Sequence, residues 1–325
     1  MKDKSFIKIG LAQISPVWLN KKDTTAKVIS YIKKAGSEEC DLVVFGEGIL
    51  PGYPFWLSMT NGSKFNSKEQ KEIYAHYIKN SVKIGEGELE PVCKVAAEFG
   101  ISVYLGVIER AVDRGGHSLY CSLVYINKNG EIGSVHRKLQ PTYEERLAWS
   151  PGDGHGLRVH KLNEFTVGGL NCWENWMPLA RTSLYALGED LHIAVWPGSI
   201  YNTEDITRMI AKESRSFVVS VSGLLNRDDS PDDIPHLDLI LENCPDVLAD
   251  GGSCISAPDG EWIVKPVLIA ENLITAELDI NRVFEERQNF DPSGHYSRPD
   301  VTQLIVNRSR QSSVNFIDSD QTKES

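Results

Sequence analysis

A thiol, a carboxylate and an amine each follow a separate short run of strand-forming residues, which places three different chemistries at three strand ends. Cys172 comes where the apolar stretch 165–170 gives way to Asn171-Cys172-Trp173-Glu174-Asn175, and Pro178 opens a helix expected over 178–187. A thiol beside a helix N-terminus is expected to react rather than pack, because the unpaired N–H groups there favour a thiolate. Glu47 leaves the β-branched and aromatic run Leu42-Val43-Val44-Phe45 between two glycines, Gly46 and Gly48. Lys138 follows a hairpin made of Ser122-Leu123-Val124-Tyr125-Ile126, an Asn129-Gly130 turn and an extended piece through Val135 and His136.

Each type has a task if the three converge. A neutral thiol is a poor nucleophile near pH 7 and needs a neighbouring base or a lowered pKa. Glu47 serves as that base only if burial holds it well above the ordinary carboxylate value of about 4.3. A cation such as Lys138 favours the thiolate and stabilises negative charge growing on the atom under attack. Nucleophile, base and electrophilic stabiliser are then all present.

Three longer stretches carry a family resemblance. They are Phe45-Gly46-Glu47 with Leu50-Pro51-Gly52-Tyr53-Pro54-Phe55-Trp56, then His136-Arg137-Lys138-Leu139 with Pro141-Thr142 and Glu145-Arg146, then Asn171-Cys172-Trp173-Glu174-Asn175. In this order they resemble the nitrilase branch of the carbon–nitrogen hydrolase superfamily, and the likeness runs from Lys8-Ile9-Gly10-Leu11-Ala12-Gln13 to Arg298-Pro299-Asp300. The resemblance implies Glu47 as general base, Lys138 as stabiliser of the tetrahedral intermediate, Cys172 as nucleophile, and Glu145 as a fourth member orienting Lys138 or the attacking water. It also implies an α/β fold of four layers, an α-β-β-α sandwich, and pairing through the helices that carry the cysteine loop. A homodimer or larger spiral homo-oligomer is therefore expected. Trp173-Glu174 after the cysteine is similar to the nitrile-hydrolysing branch. Gly46, Gly48 and Ile49 depart from its usual residues around the base, and two glycines widen the conformations open to that loop.

The expected reaction is hydrolysis of an organic nitrile to a carboxylic acid and ammonia through a cysteine thioimidate and thioester, with some amide as by-product. No step calls for a metal or an organic cofactor. An amidase or carbamoylase using the same trio is the alternative, cyanide hydrolysis is a special form of the first reading, and a non-catalytic assembly protein is the reading from another class. A Cys-His peptidase-like mechanism has histidines available at 136, 155, 160, 192, 236 and 295, but none stands in a signature with Cys172. Tyr53, Trp149, Trp173 and Trp196 are candidates for an apolar substrate pocket, each equally able to be core. Cys40, Cys93, Cys121, Cys244 and Cys254 read as small packed side chains. Residues 150–156, dense in glycine around His155, lack the Gly-Lys-Ser/Thr ending of a phosphate loop and read as a connection.

The elements that must position these residues alternate helix and strand. Helices are expected at 24–35, 67–81, 91–99, 178–187 and 206–216, and strands at 7–14, 42–45, 101–108, 165–170, 192–195 and 217–222. With 325 residues, 41% of them hydrophobic, the chain can bury a large core, read as one domain over 1–308 with a flexible tail at 309–325. A net charge of −11 disfavours nucleic acid and anionic membrane surfaces as partners, leaving a small-molecule nitrile and water. No run approaches the roughly twenty apolar residues of a membrane helix. Residues 6–14 read as a first strand rather than a secretory signal, and six unpaired cysteines fit a reducing compartment, so the cytoplasm is expected.

Overall fold

Two sheets face each other and helices cover both outer faces. The structure, a computed structural model, describes residues 4–314 and 317. The first sheet has β1 (Phe6–Gln13), β2 (Leu42–Phe45), β3 (Ser102–Arg110), β4 (Leu119–Ile126) and β5 (Ile132–Arg137). The second has β6 (His160–Leu162), β7 (Phe165–Asn171), β8 (Leu191–Trp196), β9 (Phe217–Ser222), β10 (Leu224–Asn226), β11 (Val247–Ser256) and β12 (Trp262–Leu268). The chain then returns to the first sheet with β13 (Asn272–Asp279), giving the order β13-β1-β2-β3-β4-β5. The second sheet runs β10-β11-β9-β8-β7-β6, with β12 paired to β11. β1, β2 and β3 are parallel, as are β7, β8 and β9, so each sheet sends a set of strand ends to one edge.

Strand alternation decides which residues lie between the sheets. Ile7, Ile9 and Leu11 of β1, Leu42 and Val44 of β2, and Leu123 and Tyr125 of β4 face Val167, Ile193, Val195, Val219 and Val221 in one buried cluster. Each fully buried aliphatic side chain contributes roughly 1.5–3 kcal/mol relative to exposure. The alternate residues Val43, Phe45, Val103 and Leu105 pack outward on helices Lys21–Ser37 and Glu90–Phe99, through Val28, Ile32, Val92 and Ala96. On the other side Ala194, Trp196 and Val218 meet Ile206, Ile210 and Ala211 of helix Ile200–Ser214, and Leu170 meets Leu184 of helix Pro178–Tyr185. Helix, sheet, sheet, helix is the four-layer sandwich that the sequence leads one to expect.

Helix starts follow side-chain caps. Asn20 accepts from Asp23 N–H and Ser67 from Gln70 N–H, which sets the first turns of Lys21–Ser37 and Lys68–Asn80. Helix Ile200–Ser214 begins six residues before the expected 206, because Ser199 caps it and Thr203 is buried against Gly252 O. The expected tail lies partly within the described residues. There Arg310 pairs with Asp153 at 3.0 Å and donates to Val135 O, and Gln311 N–H donates to Asp153, while residues 315, 316 and 318–325 lie outside the described residues.

Candidate active site

The ends of β2, β5 and β7 converge where the two sheets meet. β2 is only four residues long and wholly buried, so Glu47 leaves it with no room to turn toward solvent. Its N–H donates to Trp196 O at 3.1 Å, tying the end of β2 to the end of β8 in the opposite sheet. Gly106 on β3 permits this path, since a Cβ there would stand 2.1 Å from Gly46 O and 2.9 Å from Glu47 Cα. Gly48 has φ +55°, and its carbonyl accepts Gly52 N–H at 2.9 Å while Leu50 N–H reaches Gly106 O. The freedom that two glycines suggest is therefore used to fit one tight path, and the loop is pinned.

Lys138 continues β5, its N–H donating to Cys121 O at 2.8 Å. Its Nζ lies 2.8 Å from Glu47 Oε1 and 2.7 Å from Glu145 Oε2, over the Trp149 ring at 5.6 Å. Glu145 sits in a short turn, Tyr143–Leu147, closed by a capping box in which its Oε2 accepts Thr142 N–H at 2.6 Å. Its other oxygen accepts the Tyr53 hydroxyl at 2.7 Å. Cys172 opens the turn Cys172–Trp176 with φ +47°, a conformation a non-glycine residue holds only when its surroundings impose it. Carboxylate oxygens of Glu47 and Glu145 and the Cys172 sulfur all lie within 4.8 Å of one another. That spacing would also suit a metal ion, but the Lys138 ammonium already occupies the cation position between the carboxylates.

Burial governs the proton balance. It pushes the Cys172 thiol well above the ordinary cysteine value, Glu47 and Glu145 push the same way, and Lys138 and the Trp173 N–H oppose without prevailing. The thiolate expected from the nearby helix N-terminus is thus not the resting form, because full burial outweighs a dipole acting across an intervening turn. Glu47 is raised from the usual 4.5 to about 7, by burial first, against Lys138 and with Glu145. Burial pulls Lys138 down, yet the Cys172 sulfur whenever it is ionised, and the Glu47 and Glu145 carboxylates, hold it well above the usual lysine value. A neutral thiol, a carboxyl poised near neutrality and a fixed cation therefore stand together.

The aromatic candidates divide. Tyr53 and Trp149 contact the cluster and each other edge-on at 5.4 Å. Trp196 is fully buried behind Cys172, its indole N–H donating to Ser220 Oγ, and forms wall rather than contact surface. The Trp173 ring is 44% exposed and turned toward Trp176, so only its backbone N–H faces the sulfur. A narrow crevice of about 10 Å³, no larger than a water molecule needs, reaches Glu47 between Ile49, Tyr53, Phe55, Leu224 and Leu225. Leu224 and Leu225 escaped the sequence reading, because nothing local marks residues 224 and 225 as neighbours of 47.

Cys121, read from sequence as packing, donates its S–H to Glu47 Oε1 at 3.4 Å and lies 3.9 Å from Asn171 Oδ1. Its position in a buried strand gave no signal beyond the core pattern. The buried histidines do not serve the thiol directly. His136 spends Nε2 on Glu174, and His192 is held by Glu189 and by Asn175 Oδ1 at 2.7 Å. Residues 150–156 form a connection against β5, with Gly152 N–H on Lys138 O at 2.8 Å.

The chain matches the carbon-nitrogen hydrolase family over residues 8–288. It is 37% identical to "Nitrilase 2" of an unknown prokaryotic organism, covering 97% of this chain and 96% of that protein. It is 33% identical to "Nitrilase 2" of Arabidopsis thaliana, covering 96% of this chain and 92% of that protein. Among solved structures, the carbon-nitrogen hydrolase from Helicobacter pylori G27 superposes with a TM-score of 0.66 at 19% identity, over 92% of this chain and all of that one. A match that spans Glu47, Lys138, Glu145 and Cys172 and extends over both sheets makes the chain a member of the carbon–nitrogen hydrolase family.

Proposed function

We propose that the chain is a nitrilase, hydrolysing an organic nitrile to the carboxylic acid and ammonia with Cys172 as nucleophile. The observation that carries the reading is the Lys138 ammonium at 2.8 Å and 2.7 Å from the two buried carboxylates, with Cys172 beside them, alongside full-length likeness to proteins named nitrilase. Glu47 takes the thiol proton as sulfur attacks the nitrile carbon, and that proton passes to the nitrile nitrogen to give a thioimidate. Lys138 and the Trp173 N–H face the negative charge as it grows, donors already in place before the reaction starts. Water deprotonated by Glu47 adds to the thioimidate, ammonia leaves with the returned proton, and a thioester remains. A second water releases the acid and restores the thiol. Loss of the thiolate before ammonia yields the amide instead, so a minor amide product belongs to the same scheme.

Glu145 holds Lys138 in line and is itself held by Tyr53 and Thr142. Tyr53 and Trp149 line the reacting end of the substrate, and Trp196 backs the sulfur. The side chains walling the crevice beside Glu47, among them Ile49, Phe55, Leu224 and Leu225, are apolar and suit a hydrocarbon substituent once they part to admit the nitrile. Residues 1–308 form the catalytic domain of this proposal, with 309–325 as its tail.

A homodimer or larger homo-oligomer is part of the same reading. It is supported by an open apolar groove between helix Pro178–Tyr185 and residues 292–308, with Leu179 66% exposed. Among the described residues no helix is long and apolar enough to cross a membrane, and all six cysteines are free, which supports a place in the cytoplasm. Ammonia and carboxylic acid measured from a panel of nitriles and matched amides, with Cys172→Ala as blank, test the function. Nitrile turnover absent from the blank is expected. Turnover of amides alone would replace the nitrile by an amide, and activity surviving in the blank would remove the covalent route.

A further inference from the structure

Cys172 and Lys138 belong to opposite sheets, so their spacing depends on whatever joins the end of β7 to the end of β5. One carboxylate spans that gap. Glu174 Oε2 accepts the N–H of Asn171, the residue before the nucleophile, at 2.9 Å. Its Oε1 accepts the N–H of Leu139, the residue after the lysine, at 2.6 Å. Both oxygens lie 3.1 Å from Nε2 of His136 at the end of β5, and the whole carboxylate is sealed from solvent. We propose that Glu174, paired with His136, is a positioning residue that sets the distance between the Cys172 sulfur and the Lys138 ammonium by gripping the backbone next to each.

The chemistry of the carboxylate supports this. Burial alone would push Glu174 up, yet His136 and the two backbone N–H groups hold it below the usual value, so the charged form that accepts from both sides is the one maintained. No atom of Glu174 is needed by the reaction itself, since base, cation and nucleophile are all supplied elsewhere. A glutamine has one accepting oxygen where two are required, and its amino group would confront a backbone N–H whichever way it turned. One of the two loops would then lose its anchor. A displacement near 1 Å of one reacting group costs about 100-fold in rate.

The test uses the full chain as E174Q, E174D and H136N, assayed on the nitriles that the wild type hydrolyses, at temperatures well below each variant's unfolding midpoint. The proposal rests on the nitrilase reading, so wild type is run on nitriles and amides in parallel. E174Q is expected to lose about 100-fold in kcat while KM stays within about threefold, because neither Glu174 nor His136 lines the apolar crevice at Glu47. Hydrogen exchange at the amide of Leu139 or Asn171 should speed up in the same variant. E174D keeps two accepting oxygens and is expected to retain more kcat than E174Q. H136N keeps both backbone bonds, loses the ring beneath them and is expected to fall about tenfold. Should E174Q fail to fold, E174D and H136N carry the same split between kcat and KM. Wild-type kcat in folded E174Q, KM rising in step with the fall in kcat, or failure of all three variants to fold would overturn the positioning role. Wild-type turnover matched by E174Q would remove that role alone, whereas no turnover of nitrile or amide by wild type would remove the nitrilase reading and this role with it.

Discussion

Replacing Glu47 by glutamine should abolish turnover and change the pH dependence of stability in a direction fixed by burial. Glu47 stands at about 7 against 4.5 for an ordinary glutamate, so folding favours its neutral form. A carboxyl raised in this way contributes stability that is fully present below about pH 4.5 and is lost as pH rises through about 7. At 1.36 kcal/mol per pKa unit the full cost of holding the charge in place is about 3 kcal/mol. Linkage puts that cost at about 1 kcal/mol at about pH 5 and about 3 kcal/mol at about pH 8.5. Glutamine does not titrate, so the stability of E47Q relative to wild type should rise by about 2 kcal/mol between those conditions, on top of a constant offset from the lost Lys138 and Cys121 bonds. Denaturant midpoints for both proteins at each pH supply the comparison. In wild type the same group should give kcat/KM an acid limb centred at about 7, with activity rising as pH increases. Relative stability of E47Q that falls with pH would mean that the Lys138 pair dominates over burial, and the poised-base account would be refuted.

Two further substitutions probe how the base is held. Gly106→Ala places a methyl group 2.1 Å from Gly46 O, so the base loop must move; a loss of about 100-fold in kcat and about 1–3 kcal/mol of stability is expected from kinetics and denaturant titration. Unaltered kinetics there would show that the loop has slack. Cys121→Ala deletes the S–H donor 3.4 Å from Glu47 Oε1, which makes the carboxylate less favourable and should move the acid limb up by about half a pH unit. Cys121→Ser offers a stronger donor and should leave the limb in place or lower it, so equal profiles for alanine and serine would count against the contact.

The sequence exposes the site where local signals determine geometry. Glu47, Lys138 and Cys172 each follow a strand whose composition marks its end, while Glu145 is reached only through the family resemblance and its capping box with Thr142 is visible in the structure. What stayed hidden depends on side-chain direction or on distant pairing. Cys172 and Trp173 are adjacent, but the turn that begins at Cys172 sends the sulfur inward and the indole out beside Trp176. β13 closes the first sheet against β1, a pairing across more than two hundred residues that no local pattern announces. Asn171-x-x-Glu174 also follows a capping-box spacing, yet its link to Leu139 and His136 exists only once the two sheets are packed.

The most direct test of the central claim is rapid quenching during nitrile turnover followed by mass analysis of the peptide that carries Cys172. A mass increase equal to the nitrile, or to its acyl group, should appear on Cys172 in wild type within the first turnover and be absent from Cys172→Ala. Steady acid and ammonia production with Cys172 never modified would contradict the account.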